Sequence, residues 1–454
     1  MSKTTLTCCG AVGNATGANF WLQASSLSIL VDCGLVQGSS FAMSENRDAF
    51  PYDVTKVDFL LITHAHMDHI GRIPKLAREG FSGTIYSTPE TREIAEIMLA
   101  DARGLIEREA KESGQPVLYE SIDIEKALSL WKTVGYHEKL DLSSDISIYL
   151  RDAGHVLGSS IIELSIQSEA KKIAFTGDLG NSPTPLLRDT EYVTDADYMV
   201  IESVYGDRNH EPKDLRDAKL RQVIDDTVRR GGTVVIPTFS LERTQVILYE
   251  INNFIEEGKI SRVPVYLDSP LATKITGVYK KHEKQFKESI QKEIMEGDDI
   301  FDFPGLKIVR TPDESASLDR QREPKIILAG SGMSVGGRVL HHERSYLTDP
   351  KSTILLVGYQ VPGSLGRQIE EQRKHVSVDG ARVDIHAHIE KIGGFSSHKD
   401  SNNLVEFASH TQPKMKKVFV AMGETKSSSF LAQRLRGELG LDAIVPEKNK
   451  EYEI

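Results

Sequence analysis

A short segment of the chain offers four side chains that can bind a metal ion: His64, His66, Asp68 and His69. The segment follows the apolar run Val57–Ile62, which predicts a buried strand, and precedes residues 70–76, which predict the start of a helix. In extended backbone the two leading histidines project to the same side and can hold one ion. The two residues past the turn can reach a second ion. This donor set favours zinc, and manganese or iron less well. The alternative is a histidine-rich surface loop, which the flanking strand and turn disfavour.

Further acids and histidines follow predicted strands elsewhere in the chain: Asp32, His155, Asp178 and Glu202. Asp178 offers two oxygens, which suits a bridge between two cations. Asp32 is interpreted either as support for a ligand histidine or as the start of an Asx-turn before Gly34. His155 lies in a glycine-flanked loop and, considered alone, is either a metal ligand or an ordinary loop residue. Because open α/β sheets place their sites at the carboxyl ends of strands, the repeated position predicts that these side chains converge.

The composition narrows the class of protein. The 454 residues, of which 39% are hydrophobic and 27% charged, predict a globular protein with two or three domains. We find no apolar run long enough for a membrane helix and no signal-peptide core. Three cysteines cannot form a disulfide framework, so Cys8 and Cys9 are interpreted as core residues, and the expected location is the cytoplasm. The net charge of −11 argues against general coating of nucleic acid but leaves room for a confined basic groove.

A different module begins near Gly206, where predicted helices and strands alternate and indicate a small parallel sheet. Within it, the loop Gly330–Arg338 joins a strand to a helix. Its backbone N–H groups can point at phosphate, or the loop is simply a tight turn. It lacks the Lys-Ser/Thr pair of a P-loop. In the first half of the chain, the spacing also predicts helices over residues 90–111 and 124–133.

These residues together resemble a known family. The set His64, His66, Asp68, His69, His155, Asp178 and His398 resembles the metallo-β-lactamase fold. Glu202 with Tyr205-Gly206, the inserted module and the segment Gly393–His398 are similar to the β-CASP branch, nucleic-acid-processing nucleases that include the pre-mRNA 3′-end endonuclease of cleavage and polyadenylation factor. Three further segments are similar to the bacterial and archaeal members: Asp268–Ala272, Gly330–Met333 and Gly358–Arg367.

The resemblance implies an α/β protein: an αββα metallo-β-lactamase sandwich with an inserted α/β β-CASP domain. We expect residues 1–205 and 367–454 to form the sandwich and residues 206–366 to form the β-CASP domain. The inserted domain would leave a narrow cleft, which fits a single strand better than a duplex. His398 matches a motif that is histidine in the RNA-processing members, which favours RNA.

The resemblance also implies roles for the site residues. His64, His66 and His155 would hold one Zn²⁺, while Asp68, His69 and His398 would hold the other, with Mn²⁺ as the alternative metal and Asp178 as the bridge. Asp68, Glu202 and His398 are the expected catalytic group, in which Asp68 orients the attacking water and accepts its proton. Asp32 and Glu202 would fix the ligand imidazoles.

The expected contacts to RNA are Arg243, Ser331, Gly332, Arg338 and Gln368, with the backbone N–H groups near Ser331 and Gly332 holding phosphate. One position departs from the family pattern. Gln368 stands where the eukaryotic endonuclease has a second histidine, proposed to protonate the leaving oxygen. Glutamine can hydrogen-bond phosphate but cannot deliver a proton at neutral pH. His342 is a substitute candidate, although a position on the surface of a helix is the favoured interpretation for it.

The expected function is therefore a zinc-dependent ribonuclease that hydrolyses phosphodiester bonds of single-stranded RNA by a two-metal mechanism, as an endonuclease, an exonuclease or both. The alternative is a small-molecule metallohydrolase on the same fold, such as a thioesterase, lactonase or phosphodiesterase. A catalytically inert scaffold is disfavoured by the complete ligand set. We expect no membrane partner, and the sequence leaves a homodimer open.

Overall fold

The computed structural model describes residues 3–38, 42–361 and 363–454. They form two compact units: unit 1 lies within residues 1–209 and 398–454, and unit 2 lies within residues 210–397. Pro362, part of the segment 358–367 named above, lies outside the described residues, as do Met1 and Ser2 at the N-terminus. In the described part of the chain, no helix is both long enough and apolar enough to cross a membrane.

The strands are, in chain order, β1 (Thr5–Cys8), β2 (Phe20–Ala24), β3 (Leu27–Val31), β4 (Phe59–Leu61), β5 (Thr84–Ser87), β6 (Trp131–Thr133), β7 (Lys139–Asp141), β8 (Ile146–Asp152), β9 (Ser160–Ile166), β10 (Lys171–Phe175), β11 (Tyr198–Ile201), β12 (Thr233–Pro237), β13 (Val265–Asp268), β14 (Leu306–Ile308), β15 (Lys325–Ala329), β16 (Thr353–Leu356), β17 (His375–Val378), β18 (Ala381–Asp384), β19 (His388–Lys391), β20 (Lys417–Val420), β21 (Ala443–Ile444) and β22 (Glu451–Glu453).

The helices are α1 (Ala42–Arg47), α2 (Met67–Ile70), α3 (Ile73–Arg78), α4 (Pro89–Ser113), α5 (Ser121–Ser129), α6 (Lys213–Arg229), α7 (Arg243–Glu256), α8 (Pro270–Lys281), α9 (Glu288–Met295), α10 (Pro312–Leu318), α11 (Val339–Tyr346), α12 (Leu365–Glu370), α13 (Ser401–Ser409) and α14 (Thr425–Leu439). The longest, α4, shows how local sequence sets the bounds. Thr88 accepts a hydrogen bond from the N–H of Thr91, Pro89 occupies the first turn, and Gly114 ends the helix in the left-handed conformation.

Unit 1 is the expected αββα sandwich. One mixed sheet has the order β22-β1-β2-β3-β4-β5-β6 and the other the order β21-β20-β11-β10-β9-β8-β7. Phe20 and Leu61 of the first sheet pack with Ile162 and Phe175 of the second in a shared apolar core. α13 and α14 cover the other face of the second sheet, and α4 and α5 pack beside the first. The alternation of apolar residues in the strands produces the two buried inner faces.

Unit 2 is built around a parallel sheet of the order β14-β13-β15-β12-β16-β19, as the sequence predicts, with β17 and β18 pairing as a separate hairpin. β12, β15 and β16 are buried along their whole length. Runs of valine, isoleucine and leucine suit such strands because helices cover both faces of a parallel sheet.

Two local predictions differ from the structure. The expected helix over residues 124–133 is α5, which ends at Ser129, and Trp131–Thr133 pairs with β5 as strand β6. Residues 367–397 were expected with the sandwich, but they lie in unit 2 because β19 extends its sheet beside β16. The other expected boundary, at residue 206, differs from the division after residue 209 by a few residues.

Candidate metal centre

The acids and histidines predicted at strand ends meet in unit 1. β3 and β4 run parallel, so Asp32 and His64 leave the first sheet side by side. β8 and β10 both run antiparallel to β9, and β11 runs parallel to β10. His155, Asp178 and Glu202 therefore leave the second sheet in one direction. The expected convergence follows from these strand directions.

The first donor group consists of His64, His66, His155 and Asp178. Nε2 of His64 lies 3.0 Å from Nδ1 of His66 and 3.4 Å from Oδ2 of Asp178. Nε2 of His155 lies 3.3 Å from the same His66 nitrogen and 3.6 Å from the same Asp178 oxygen. A tetrahedron with metal–nitrogen bonds of about 2.0–2.1 Å has edges of about 3.3–3.4 Å between ligand atoms. The donor atoms and their spacing therefore fit a zinc ion.

Asp178 is the shared residue of the centre, because its carboxylate faces imidazoles from several segments. Its Oδ1 lies 3.5 Å from Nε2 of His69, a buried nitrogen with no hydrogen-bond partner among the described residues. Burial opposes ionisation of this carboxyl, but the charges of His69 and His398 and a hydrogen bond from His64 hold the pKa of Asp178 well below its usual range. The carboxylate is thus ionised and can attract a cation.

His69 is held from its other side by Asp32. Its Nδ1 lies 2.7 Å from Oδ2 of Asp32, which is completely buried. Asp32 also accepts hydrogen bonds of 2.8 Å from the N–H and the hydroxyl of Thr63. A carboxylate on Nδ1 fixes the imidazole with Nε2 directed towards a metal position. Thr63 was missed by the sequence analysis, although its place directly before His64 was a usable signal.

A glycine at position 34 allows this arrangement. A Cβ atom there would lie 1.5 Å from the carbonyl oxygen of Asp68. The N–H of Cys33 donates to the carbonyl of His69, and the N–H of Leu35 donates to that of Met67. The strand end after β3 therefore lies directly against the turn that carries the ligand residues.

The second donor group consists of Asp178, Glu202 and His398. Oε2 of Glu202 lies 3.3 Å from Nδ1 of His398, and its Oε1 accepts a 2.6 Å hydrogen bond from the N–H of Leu179. An antiparallel β-bridge pairs the backbone of His398 with that of Gly180 and attaches the histidine segment to the loop after β10. Glu202 thus contacts an imidazole as expected, and it also belongs to a donor group.

Asp68 and His69 belong to neither donor group formed by the described residues, although they were expected to hold the second ion with His398. Both lie beside that group. The charge of Asp68 acts on His398, and burial raises the pKa of the Asp68 carboxyl. His69 contacts Asp178 directly, as described above. The expected ligands therefore lie near one another, and the assignment of Asp68, His69 and His398 to a second ion stays a prediction.

The pKa values divide the histidines into two kinds. Burial, followed by neighbouring imidazoles, lowers the pKa of His64 and holds those of His66 and His155 well below the usual range, so they are neutral and able to bind a metal. Burial acts the same way on His398, but Glu202 and Asp178 outweigh it and raise the pKa of His398 to about 9. Glu202 and Asp178 therefore favour a positive charge at the second donor group.

The residues expected to contact RNA lie in unit 2 and have the following partners. Arg338 donates a 2.5 Å hydrogen bond to Oδ1 of Asp268 and further hydrogen bonds to the carbonyls of Val309 and Arg310. The N–H of Ser331 was expected to be available for phosphate, but it donates to the carbonyl of Gly336 because the loop folds back on itself.

The remaining expected contacts differ in exposure. Gly332 is buried, with its carbonyl accepting from Gln360, whereas Gln368 accepts a hydrogen bond from Arg373 at the surface. Arg243 is buried at the start of α7, and its Nε and one terminal nitrogen have no hydrogen-bond partner among the described residues.

The interpretation of His342 as a surface residue is wrong. The side chain is completely buried, with Nε2 2.7 Å from Asp268 and Nδ1 3.4 Å from Asp319. α11 packs across the parallel sheet, and that face of the helix is covered.

Known family domains match parts of both units. Residues 21–197 match the metallo-β-lactamase superfamily domain, and residues 244–369 match the β-CASP domain. Residues 382–446 match a domain described as the Zn-dependent metallo-hydrolase RNA specificity domain. The matched regions cover both donor groups except Glu202.

Similar proteins are known from bacteria and archaea. The chain is 36% identical over 398 residues to ribonuclease TTHA0252 of Thermus thermophilus, which covers 88% of this chain and 89% of that protein. It is 31% identical over 446 residues to the transcription termination factor FttA of Methanosarcina mazei, which covers 96% of this chain and 68% of that protein. A crystal structure of an Enterococcus faecalis V583 protein of unknown function matches the fold over the full length of both chains, with a TM-score of 0.59 and 13% identity.

Proposed function

The chain belongs to the β-CASP family of metallo-β-lactamase-fold proteins, and from this membership and the donor groups of unit 1 we propose that it is a metal-dependent ribonuclease. The observation that carries the proposal is the convergence of imidazoles and carboxylates on Asp178. We propose that the substrate is single-stranded RNA and that the cofactor is a pair of Zn²⁺ ions, with Mn²⁺ as the alternative.

His64, His66 and His155 would hold one ion and Asp178 would contact both. Asp68, His69 and His398 would complete the second position, in agreement with the orphan nitrogen of His69. When bound, two divalent cations neutralise charge on a phosphodiester and lower the pKa of a bound water towards 7.

The other side chains of the cluster have supporting tasks. Asp32 holds Nδ1 of His69, and Glu202 holds Nδ1 of His398 while accepting the N–H of Leu179. Asp68 is the candidate to orient the attacking water and accept its proton, since burial raises the pKa of its carboxyl towards the range useful for a general base. The acid that protonates the leaving oxygen is not assigned to His342, whose nitrogens both face aspartates.

RNA is favoured over a small molecule by the match of residues 382–446 to an RNA specificity domain and by the name of the Thermus relative, a ribonuclease. A thioesterase or lactonase would need neither feature. Because RNA is processed inside the cell, we propose a cytoplasmic location. The homodimer that the sequence leaves open stays a hypothesis raised by the sequence alone.

The test is to incubate the purified protein with 5′-labelled single-stranded RNA, matched DNA and a chromogenic ester, with and without chelator. We expect cleavage of RNA, loss of activity with chelator and recovery with zinc or manganese. Hydrolysis of the ester without cleavage of RNA would support the small-molecule alternative. The pattern of fragments separates endonuclease from exonuclease.

A pair of variants connects activity to the centre. Asp178→Asn should lose bound metal, measured by elemental analysis, together with RNA cleavage. Asp141→Asn is the matched control, because Asp141 lies exposed in β7 and its ion-pair partner in the described part of the chain is Lys139 at the surface. Full activity of Asp178→Asn would contradict the proposal.

A further inference from the structure

An exposed aromatic ring lies in unit 2 at the carboxyl end of the central strand β12. Phe239 follows this strand and is 36% exposed, among the more exposed large apolar side chains described. Its backbone is firmly held, since its carbonyl accepts hydrogen bonds from both the N–H and the hydroxyl of Thr244. The N–H of Thr238 extends the pairing with β15 up to the residue before it. The ring is therefore presented by a rigid strand end rather than by a free loop.

Two glycines support the ring from beneath. A Cβ atom on Gly332 would lie 2.7 Å from Cδ2 of Phe239, and one on Gly358 would lie 3.2 Å from Cε2. Any larger residue at position 332 would have to displace the ring. The backbone of the loops after β15 and β16 thus forms a floor for the ring and fixes its orientation. A fixed ring loses little conformational entropy when a ligand covers it.

The strand order places Phe239 where parallel sheets bind ligands. From β12 the chain continues to β13, which lies beyond β15, whereas from β15 it continues to β16, which lies beyond β12. The two connections therefore leave neighbouring strands in opposite directions. Such a reversal opens a crevice at the carboxyl edge of the sheet, and ligands bind there. The loop that follows β12 carries Phe239, and the loop that follows β15 carries Gly332.

The loop that carries Phe239 leads to a buried guanidinium, that of Arg243. Arg243 begins α7 and is 5% exposed; one terminal nitrogen lies 3.4 Å from Oε2 of Glu242, while Nε and the other terminal nitrogen have no hydrogen-bond partner among the described residues. A buried guanidinium with unused donors indicates an anionic ligand, because leaving such donors unpaired is costly. A flat apolar ring and a guanidinium with two unused nitrogens, four residues apart, match the two parts of a nucleotide, its base and its phosphate.

We propose that Phe239 is a stacking platform for one base of the RNA substrate, a role that rests on the proposed ribonuclease function. The exposed face of the ring takes the base, and Arg243 supplies donors to an adjoining phosphate. Stacking on an aromatic ring tolerates every base, so this subsite binds RNA without reading its sequence. Phe239 is a binding residue and has no part in bond cleavage.

The test measures binding of a fluorescein-labelled 12-nucleotide RNA to the full-length protein in the presence of chelator, so that cleavage does not interfere. Phe239→Leu and Phe239→Met keep an apolar side chain but lose the aromatic face, and each should weaken binding about tenfold. Phe239→Tyr should bind within about twofold of the wild type, because stacking is kept. Phe430→Leu is the matched control, since Phe430 is 45% exposed on α14 in unit 1 and should bind normally.

An abasic scan separates stacking from a structural effect. Removing the base at one position of the RNA should weaken binding to the wild type by a similar factor of about ten. The same abasic RNA should bind Phe239→Leu no worse than intact RNA does, because the two losses remove one contact. If removal of the base weakened binding to Phe239→Leu and Phe239→Met by the same factor as binding to the wild type, the platform would be rejected. Normal binding of intact RNA by those variants would also reject it.

The proposed function is tested apart from the platform. Cleavage of RNA by the wild type, combined with normal RNA binding by Phe239→Leu and Phe239→Met, would reject the platform and leave the ribonuclease intact. A wild type that neither binds nor cleaves RNA would reject both proposals.

Discussion

Each unit contains a completely buried histidine that contacts two aspartates. In unit 1, His69 contacts Asp32 at 2.7 Å and Asp178 at 3.5 Å. In unit 2, His342 contacts Asp268 at 2.7 Å and Asp319 at 3.4 Å. Burial opposes protonation in both, but the carboxylates outweigh it and raise the pKa of each imidazole. By residue type, distance and charge the two arrangements are nearly the same.

They differ in what else the aspartates contact. Asp268 also binds the guanidinium of Arg338 at 2.5 Å and the hydroxyl of Ser315. Among the described residues, the ion-pair partners of Asp178 are all imidazoles, and these can exchange a proton for a metal. A permanent cation therefore neutralises the aspartate of unit 2, whereas the aspartate of unit 1 keeps its charge for a metal. A buried histidine–aspartate pair is a site only when the carboxylate is not already satisfied.

The largest expected effect comes from making the same substitution at both histidines. His69→Gln should reduce RNA cleavage by at least about a thousandfold, because it removes a nitrogen from a metal position that supplies several kcal/mol of charge stabilisation. It should also lower the metal content found by elemental analysis. His342→Gln should keep the wild-type metal content, since His342, Asp268 and Asp319 belong to neither donor group of the described residues. Loss of metal from both variants would remove the distinction between the two arrangements.

The second effect is on folding. His342→Gln should reduce the free energy of unfolding of unit 2 by about 3 kcal/mol, because it removes one partner of a buried charge pair. Urea unfolding can assign the loss to a unit, since Trp21 and Trp131, the two tryptophans of the chain, both lie in unit 1. Circular dichroism should therefore show the loss while tryptophan fluorescence changes little. An equal shift by both probes would show that the effect is not confined to unit 2.

The same variant gives a pH dependence. Hydrogen bonds and charge from Asp268 and Asp319 outweigh burial and raise the pKa of folded His342 above its ordinary value of 6.5. A raised folded-state pKa stabilises the protein fully below 6.5 and loses its contribution as the pH rises through the folded value. The difference in unfolding free energy between wild type and His342→Gln should therefore be largest below pH 6.5 and shrink above it. A difference that stays constant or grows with pH would contradict a protonated His342.

The sequence predicted most of the unit 1 cluster because its residues, except His398, follow predicted strands, and strand ends are readable from apolar runs. Asp32, His155, Asp178 and Glu202 were placed by this rule and do converge. The parallel sheet of unit 2 was predicted from its valine and isoleucine runs for the same reason.

The parts that were missed depend on contacts distant in sequence. His342 was misread because the face of α11 that is covered depends on the order of strands in the sheet. The extent of unit 2 depends on the pairing of β19 with β16, and the strand Trp131–Thr133 forms only because β5 is beside it. The partner of Ser331 could not be predicted because its loop folds back on itself, and those of Arg338 could not because they lie at the ends of β13 and β14, distant in sequence.

A smaller effect is expected from Asp32, which acts through His69. Asp32→Asn should weaken metal binding by about 10- to 100-fold, the usual loss when the partner of a ligand imidazole is changed. The fold should persist, because Asp32 has a φ of 57°, which asparagine tolerates. Competition with a chelating dye measures the affinity. Asp319→Asn is the matched control in unit 2 and should leave the affinity unchanged; a similar loss there would mean that the effect is not local.

The smallest effect tests whether Asp268 is held by more than one partner. Ser315→Ala removes one hydroxyl donor from Asp268 but leaves Arg338 and His342 in place, so the free energy of unfolding should fall by only about 1 kcal/mol. Ser317→Ala, on the same helix, removes an exposed hydroxyl that donates to the carbonyl of Glu314 and should change stability less. Urea unfolding followed by circular dichroism compares the two. If Ser315→Ala lowered the free energy of unfolding as much as His342→Gln does, Asp268 would depend on every donor around it. The claim that several partners satisfy Asp268, in contrast to Asp178, would then be wrong.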